Sequence, residues 1–304
     1  MGMFRDYGEM RAQAAAMGPV PVSVAAADDR SVVRAVRIAV EMGMIRPILA
    51  GREDKIRALL EEEGLPGDIR VLDSPDPPSA ALAAVERVRA GEARVLVKGL
   101  VNTSDFMRAV LDRNVGLRVG KLVCGLAVFE IPGEKKLLYQ ADGGVNVAPG
   151  LAEKREILLE SLEAMARFGI TRPKVAVLTA NEQVNPKMPA TMDAAELARM
   201  SREPGFPPCI VEGPIAMDVA LDPEMARRKG LSSEVTGDVD LYLMPNIESG
   251  NIMGKLLVHY MKAKMAGIVL GVSAPVVLTS RGEPPDGKVN SIALACLASN
   301  GVRP

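Results

Sequence analysis

Residues 94–111 read RVLVKGLVNTSDFMRAVL, and this stretch holds one complete strand–loop–helix unit. The valine-rich run 94–98 predicts a buried β-strand, and the segment after the loop predicts a helix that continues to about Leu111. Similar apolar runs occur at 20–25, 47–50, 69–72, 122–130, 136–141, 175–179, 209–211, 239–244, 267–271 and 276–279. Helical segments are predicted between them, at 29–41, 53–62, 79–89, 151–168, 251–264 and 289–297. This alternation is typical of an α/β protein with mostly parallel strands and helices on both faces of the sheet.

The segment 151–168 shows the helical pattern clearly. Its apolar residues recur at a spacing of 3.6 residues, and its charged residues face away from them. The apolar positions are Leu151, Leu158, Leu162 and Met165. Gly169 follows and predicts a left-handed residue just beyond the end of the helix.

One segment breaks the parallel pattern and suggests where the chain divides. The runs 122–130 and 136–141 are joined by the short turn 131–134, IPGE, which predicts an antiparallel hairpin. A chain of 304 residues is long enough for two lobes. We therefore expect a first α/β lobe from residues 1–121 plus 276–304 and a second from residues 122–275, with a cleft between the lobes.

The composition excludes several classes of partner. Hydrophobic residues make up 48% and charged residues 25%, as in an ordinary soluble globular protein. The formal net charge is −1, so there is no long-range field to attract a nucleic acid or an anionic membrane. Any anionic ligand must therefore be held by cations and backbone donors placed close to it.

Targeting signals and cysteine usage indicate the cytoplasm. Residues 1–18 contain four charged side chains and no apolar core, so they do not predict a signal peptide. No apolar run approaches the length of a membrane span. The three cysteines, Cys124, Cys209 and Cys296, are widely spaced and are expected to be reduced thiols.

The loop that follows 94–98 is a candidate phosphate site. Asn102, Thr103 and Ser104 precede the predicted helix, Thr103 or Ser104 is placed to cap it, and Arg108 lies one turn further along. A helix N-terminus with hydroxyl groups, free N–H groups and an arginine suits a phosphate. A simple N-cap with a solvent-facing Arg108 explains the same residues.

Three further loops at strand ends are polar. Residues 184–191 read as an ordinary lead-in to a helix. Residues 245–255, PNIESGNIMGK, predict a helix start with Asn251 and with Lys255 in the first turn, without the spacing of a P-loop. Residues 279–288 place Ser280 beside Arg281, and a hydroxyl next to a guanidinium at a strand end suits an oxyanion and a phosphate, although a surface turn is the simpler explanation.

Other catalytic constellations are missing from the sequence. His259 stands alone within a predicted helix, and no acidic or histidine cluster has the spacing of metal ligands. No G-x-S-x-G motif is present. The turn DGGVN at 142–146 suits either a cation or the entry to the following helix.

Six stretches in fixed order resemble one enzyme family. They are VKGLVNTSDFMRAVL (97–111), DGGVNVAP (142–149), KVAVLTANEQVNPKMPATMDAAEL (174–197), VEGPIA (211–216), PNIESGNIMGK (245–255) and APVVLTSRGEPPDGKVNSIALA (274–295). They resemble the phosphate acetyl/butyryltransferase family, and its phosphate butyryltransferase branch most of all, over residues 90–299. The resemblance implies two α/β lobes around a cleft, like isocitrate and isopropylmalate dehydrogenases, and a homodimer or larger homo-oligomer.

The same resemblance implies a reaction and a set of residues. Acyl-CoA and phosphate would give acyl phosphate and CoA, in either direction, with CoA as a substrate and without a permanent cofactor or metal. Ser280 would donate to the tetrahedral oxyanion, and Arg281 and Arg108 would bind phosphate. The segment 249–255, with Asn251 and Lys255, would line the same cleft.

Two positions depart from the family pattern. The acetyltransferase branch has an aspartate that takes the proton of the CoA thiol, and Gly287 stands at that position here, one residue after Asp286. Either Asp286 substitutes for it or the base differs. Gly254 stands where the family commonly has tyrosine, which would admit a longer acyl chain or change the packing of the helix.

Two other functions remain compatible with these residues. An NAD(P)-dependent decarboxylating dehydrogenase would share the fold, but it would need clustered aspartates and substrate-binding arginines that the sequence does not show. A non-catalytic protein that binds CoA or phosphate would also fit, since the aspartate of the acetyltransferases is absent.

Overall fold

A computed structural model describes residues 3–278 and 283–301 of the chain. Within these ranges strands and helices alternate, so the predicted mixed α/β fold is confirmed. The helices are α1 (Tyr7–Ala16), α2 (Arg30–Glu41), α3 (Glu53–Glu62), α4 (Pro77–Arg89), α5 (Thr103–Val110), α6 (Leu151–Arg167), α7 (Pro189–Met200), α8 (Met217–Leu221), α9 (Pro223–Arg228), α10 (Ile247–His259) and α11 (Pro285–Ala298). The strands are β1 (Val20–Ala25), β2 (Ile45–Gly51), β3 (Arg70–Asp73), β4 (Val95–Lys98), β5 (Cys124–Glu130), β6 (Leu138–Ala141), β7 (Lys174–Leu178), β8 (Ile210–Ile215), β9 (Leu241–Leu243), β10 (Lys264–Leu270) and β11 (Val276–Val277). None of the helices in the described part of the chain is long and apolar enough to cross a bilayer.

The described residues divide into two compact units. The first unit contains residues 6–121 together with 265–301, and the second contains residues 3–5 together with 122–264. The chain thus returns to the first unit at residue 265, so that nearly all of β10 belongs there, whereas the sequence pattern placed this return at residue 276. The reason is that β10 pairs with β11 in an antiparallel ladder, which ties both strands to the same sheet.

The first unit is built on a sheet with the strand order β3-β2-β1-β4-β11-β10. In this order each strand from β3 through β11 runs parallel to the next one, and β10 is antiparallel to β11. Helix α11 lies against α1 and α2, and every residue from Gly287 to Ala298 is buried. A helix that is buried on all sides is part of the core rather than a surface helix.

Side-chain caps explain why two helices of the first unit begin where they do. Asp29 accepts a hydrogen bond of 3.1 Å from the N–H of Val32 at the start of α2. Asp76 accepts one of 2.8 Å from Ser79 at the start of α4, whose first two residues are prolines. Such caps satisfy N–H groups that have no partner within the helix.

The strands of the second unit follow the order β5-β6-β9-β7-β8. The predicted hairpin is confirmed, since β5 and β6 pair antiparallel, and the remaining neighbours run parallel. In α6 the predicted apolar face is buried at Leu158, Leu162 and Met165, while Leu151 at the first position is half-buried. Gly169 adopts a φ of 90° just beyond the helix, as predicted.

The predicted bounds of α10 are wrong at both ends. The sequence pattern placed this helix at 251–264, but it begins at Ile247 because Asn246 accepts a hydrogen bond of 3.0 Å from the N–H of Ser249. It ends at His259, and Lys262 then takes a φ of 57°, which turns the chain toward β10. Strand β10 therefore begins at Lys264, inside the segment predicted as helical.

Candidate active site

Gly99 sets the direction in which the chain leaves β4. Its N–H donates to the carbonyl of Ala25 at 2.8 Å, and the N–H of Leu100 donates to the carbonyl of Ala26 at the same distance. A Cβ at Gly99 would lie 2.3 Å from the carbonyl oxygen of Ala26. Only glycine allows the end of β4 to approach the end of β1 so closely, and this contact positions the loop that leads to α5.

The start of α5 differs from the prediction in one respect. The N-cap residue is Asn102, and Thr103 and Ser104 are the first two residues of the helix, so the prediction that one of them caps it is wrong. Asn102 adopts an extended conformation with ψ 141°, and its side chain donates to Asp105 at 3.3 Å rather than capping the helix. The hydroxyl-bearing side chains of Thr103 and Ser104 are exposed at the first turn, where the helix dipole favours an anion.

Arg108 lies on the surface of the same helix. Its guanidinium donates to the carboxylate of Asp105 at 2.9 Å, and its side chain is 75% exposed. The ion pair holds the guanidinium in one orientation, but an exposed pair of this kind contributes only about 0–1 kcal/mol. An arriving phosphate can therefore compete for Arg108.

The neighbouring strand β11 ends at the same edge of the sheet as β4. Val276 and Val277 pair in parallel with Leu96 and Val97, so the chain leaves β11 beside the point where it leaves β4. Ser280 and Arg281, the predicted oxyanion and phosphate residues, lie outside the described residues.

The chain is described again from Glu283, just before α11. Asp286, the predicted thiol base, is 76% exposed, and its carboxylate pairs with Arg11 of α1 at 3.3 Å. The same guanidinium donates to the backbone carbonyl of Asp286 at 2.9 Å and to the side chain of Asn290 at 2.7 Å. Arg11 thus fastens α1 to the first turns of α11, and the carboxylate of Asp286 takes part in that connection.

Glu283 occupies the space above Gly287. A Cβ at Gly287 would lie 2.6 Å from Oε1 of Glu283 and 2.8 Å from its Cγ. The carboxylate of Glu283 therefore covers Gly287, the position at which the resemblance implies an aspartate in the acetyltransferases. Glu283 was not predicted as a site residue, although an acidic residue two positions after Arg281 was a signal for it.

Two buried lysines flank this region of the first unit and were also missed. Lys98, at the end of β4, is 2% exposed and lies 3.4 Å from the carbonyl oxygen of Gly99. Lys288 is 6% exposed and donates to the backbone carbonyl of Glu283. Burying a charged ammonium costs free energy unless it is paired, so such residues commonly mark sites that bind anions or hold loops in place. The sequence signal for Lys98 was a lysine next to glycine at a strand end.

Asn251 and Lys255 lie in the second unit, on α10. They are four residues apart on one face of the helix, and both are exposed. Because α10 begins at Ile247, Lys255 is in the third turn, and the prediction that it lies in the first turn is wrong. The first turn of α10 packs closely against the loop that contains Gly143. A Cβ at Gly250 would lie 2.6 Å from the Cα of Gly143.

Asp142 explains the DGGVN turn without a cation. Its carboxylate accepts from the N–H groups of Gly144, Val145 and Asn146 at 2.9–3.1 Å, and from the side chain of Asn146 at 2.7 Å. These bonds close the turn that leads toward α6. In the part of the chain that the structure describes, no group of three or more acidic, histidine or cysteine side chains is arranged to hold a metal ion.

Gly254 faces the interior of the second unit. A Cβ there would lie 3.4 Å from the ring of Phe129 and 3.7 Å from Oε1 of Gln140. A tyrosine at this position would meet that ring, so the structure supports an effect of Gly254 on the packing of α10. His259 is exposed at the last residue of the same helix.

None of the three cysteines, all of which lie in the described part of the chain, forms a disulfide, as expected. Burial raises the pKa of the Cys209 thiol to about 11 and that of the Cys296 thiol to about 12. Both are therefore protonated at neutral pH and unsuited to act as nucleophiles.

Comparison with known proteins finds one consistent set of relatives. Residues 77–296 match the family described as "Phosphate acetyl/butaryl transferase". A phosphate butyryltransferase of Clostridium acetobutylicum is 43% identical over 98% of this chain and 99% of its own. A phosphate acetyltransferase of Thermotoga maritima is 40% identical over 91% of this chain and 94% of its own.

Among solved structures, a branched-chain phosphotransacylase from Enterococcus faecalis superposes with a TM-score of 0.80 at 27% identity. The match covers 92% of this chain and 99% of that one. The mixed α/β fold described above is therefore also the fold of a phosphotransacylase.

Proposed function

Because the chain belongs to the phosphate acetyl/butyryltransferase family, it is a phosphate acyltransferase, and we propose that it transfers a butyryl or similar short acyl group between CoA and phosphate. The observation that carries the proposal is the 43% identity with a phosphate butyryltransferase along almost the whole of both chains. The reaction is acyl-CoA plus phosphate giving acyl phosphate plus CoA, in either direction.

The chemistry sets three requirements for the site. A tetrahedral intermediate forms at the acyl carbon, so a donor must stabilise its oxyanion. A cation must hold phosphate in line with that carbon, because positioning supplies much of the rate when both reactants are already reactive. A base must take the proton of the CoA thiol, since the thiolate is the nucleophile.

Ser280 and Arg281 are proposed to meet the first two requirements. Ser280 would donate to the oxyanion, and Arg281 would bind the transferred phosphate through its planar fork of donors. The proposal is supported by β11, which pairs with β4 and carries the chain to the sheet edge where Gly99 begins the loop to α5.

The start of α5 is proposed as a second phosphate contact. Asn102, Thr103 and Ser104 are exposed at a helix N-terminus, and Arg108 presents an exposed guanidinium from the same helix. Backbone N–H groups, hydroxyls and a guanidinium together match the oxygens of a phosphate dianion. On the second unit, Asn251 and Lys255 are proposed to contact substrate from the exposed face of α10.

Two carboxylates at the start of α11 are candidates for the thiol base. Asp286 follows Ser280 by six residues, and Glu283 follows it by three. One of them would take the proton of the CoA thiol when acyl-CoA is formed, and no permanently bound cofactor is proposed.

Finer features of the fold and the assembly are also proposed. We propose a fold of the isocitrate and isopropylmalate dehydrogenase kind, supported by two compact units within each of which most neighbouring strands run parallel. We propose a homodimer or larger homo-oligomer, supported by the exposed apolar residues Ile252 and Leu256 on α10 and Tyr260 just after it. We propose a cytoplasmic enzyme, supported by three cysteines that form no disulfide.

The test is release of free thiol by the purified protein from acetyl-, propionyl-, butyryl- and isobutyryl-CoA, with and without phosphate. Release that depends on phosphate is expected, and the ranking of the four thioesters assigns the acyl group. Ser280→Ala should lower kcat by roughly 10²–10³-fold, and Arg281→Ala should raise the KM for phosphate.

Two exposed residues of the second unit supply matched controls, Ser232→Ala and Arg227→Ala. Neither should change the rate. Binding of CoA without turnover of any thioester would contradict the proposed function, and unchanged rates in both Ser280→Ala and Arg281→Ala would contradict the proposed site.

A further inference from the structure

A cavity of about 320 Å³ lies in the first unit, at the ends where β4 and β11 begin. It is bounded by the end of α4, by the residues just before β4 and β11, and by the loop that follows α5, all within the first unit. The loops of the candidate active site leave the opposite, carboxyl ends of the same two strands. Because β4 has four residues, it spans roughly 13 Å, and the cavity is therefore separate from those loops.

The lining of this cavity carries more positive than negative charge. Four arginines contribute to it: Arg89, Arg94, Arg113 and Arg118. Among the described residues that line it, Asp112 is the one acid. The net charge of the whole chain is −1, so this concentration of positive charge is a local feature. Guanidinium groups that are brought together repel one another, and an anion between them relieves the repulsion.

Arg94 has a donor that is left without an acceptor. Its side chain is half-buried, and its Nη2 donates to the backbone carbonyl and to the hydroxyl oxygen of Ser299, both at 3.2 Å. Its Nε is buried and has no hydrogen-bond partner among the described residues. A buried N–H without a partner costs free energy, so this group beside a polar cavity indicates a place for an acceptor from a ligand.

Arg113 and Arg118 are exposed and line the same cavity. Within residues 3–278 and 283–301 neither side chain forms an ion pair or a hydrogen bond. A ligand can therefore bind them without breaking an existing contact. The planar fork of a guanidinium donates two hydrogen bonds at once to the oxygens of a phosphoryl group.

The carboxylate of Asp112 is used by the loop itself. It accepts from the N–H of Asn114 at 2.7 Å and from that of Val115 at 2.9 Å. These two bonds lower the pKa of Asp112, and the charge of Arg89 contributes less. Arg89 also donates to the backbone carbonyl of Asn114, which ties the end of α4 to the loop. The acid thus shapes the wall of the cavity and leaves the other arginines without a counter-ion there.

Backbone contacts fix the rest of the wall. A Cβ at Gly116 would lie 2.4 Å from the carbonyl oxygen of Asp112, so only glycine permits this tight turn. The N–H of Ser273 donates to the carbonyl of Leu117 at 2.8 Å, which joins the loop after α5 to the segment before β11. Arg118 follows Leu117 directly and is therefore carried on a braced backbone.

We propose that this cavity binds a small anion with one or two phosphoryl groups, at a second site separate from that of acyl transfer. Arg113 and Arg118 bind the phosphoryl oxygens through their planar forks, and Nε of Arg94 supplies a further donor. A volume of about 320 Å³ is at the lower end for small-molecule sites, which suits pyrophosphate or a small organic phosphate better than a whole CoA molecule.

The experiment is calorimetric titration of the full-length protein with pyrophosphate, in the absence of any thioester. Each arginine that contacts a phosphoryl group should contribute about tenfold or more in affinity, so the double variant Arg113→Ala with Arg118→Ala should bind about 100-fold more weakly. Parallel titrations with ribose 5-phosphate and with inorganic phosphate distinguish an organic from an inorganic ligand. Pyrophosphate should also raise the unfolding temperature of wild type but not of the double variant.

A matched control removes the same two charges elsewhere in the first unit. Arg34 on α2 and Arg46 on β2 are both exposed, and Arg34→Ala with Arg46→Ala should bind pyrophosphate as wild type does. Arg108→Ala tests independence from the candidate active site, and pyrophosphate binding at the cavity should persist in it. Because the cavity lies apart from that site, the Arg113→Ala, Arg118→Ala variant should keep its kcat within threefold of wild type.

Four outcomes would overturn the assignment. They are no binding of pyrophosphate or ribose 5-phosphate by wild type at millimolar concentration, a pyrophosphate affinity of the double variant within threefold of wild type, an equal loss in the control variant, or complete loss of binding in Arg108→Ala. If the double variant does not fold, the affinity of Arg118→Gln decides. The titrations need no turnover, so failure of the proposed acyltransferase function would be seen separately, in the thiol-release assay.

Discussion

Arg108 allows a functional contribution to be separated from a structural one. Its guanidinium is 75% exposed and is paired with Asp105 at 2.9 Å, so its removal should cost at most about 1 kcal/mol of stability. A charge-assisted hydrogen bond to phosphate contributes about 1.5–3 kcal/mol. At 1.4 kcal/mol for each factor of ten, Arg108→Ala should raise the KM for phosphate by about 10- to 150-fold. Its unfolding temperature should change by only a few degrees.

The assay measures initial rates with butyryl-CoA while phosphate is varied, together with thermal unfolding. Arg227 on α9 is a closely matched control, because it is also 75% exposed and also pairs with an acidic residue three positions earlier, Glu224. Arg227→Ala should leave both KM values unchanged. A phosphate KM within threefold of wild type in Arg108→Ala, or equal changes in the two variants, would refute the assignment of Arg108 to phosphate.

Three more predictions follow from the packing and the charges. Gly99→Ala places a Cβ 2.3 Å from a backbone carbonyl oxygen and should destabilise the protein by about 1–3 kcal/mol or more, with a fall in unfolding temperature and in activity. Hydrogen bonds from Lys136 and from a second lysine lower the pKa of Asp238 in the folded protein. The ionised carboxylate therefore stabilises the folded protein above the unfolded-state pKa of about 3.9, and this stabilisation is lost as the pH falls through the lower pKa of the folded state. The unfolding temperature of Asp238→Asn should therefore fall less than that of wild type on acidification below about pH 4. Leu256→Asp should shift the protein toward monomer in light scattering if α10 forms an interface between copies, whereas Leu82→Asp, at another exposed leucine, should not.

Much of the fold could be predicted because its signals are local. Strand β1 and helix α3 have the bounds that the apolar pattern indicated, and the hairpin of β5 and β6 follows from a short turn between two apolar runs. The bounds of α10 could not be predicted in the same way. Its start depends on the side chain of Asn246, and its end on a left-handed conformation at Lys262, which is uncommon for a residue other than glycine.

In the candidate site, too, some features could be predicted from the sequence and others could not. The identity of its loops was evident from the residues at the strand ends, and Arg108 indeed lies on the helix that begins with Thr103 and Ser104. Which residue occupies the N-cap position was predicted wrongly. Several residues in succession are able to cap a helix, and the backbone conformation at Asn102 decides among them.

By itself, the sequence determined the fold class, the family and the order of the loops, because periodicity, turns and motifs are properties of neighbouring residues. Only the tertiary structure decided what the side chain of Asp286 contacts. It is paired with Arg11, which is 275 positions away in the chain. Contacts of this kind are created when distant segments pack together, so a local pattern of residues does not contain them.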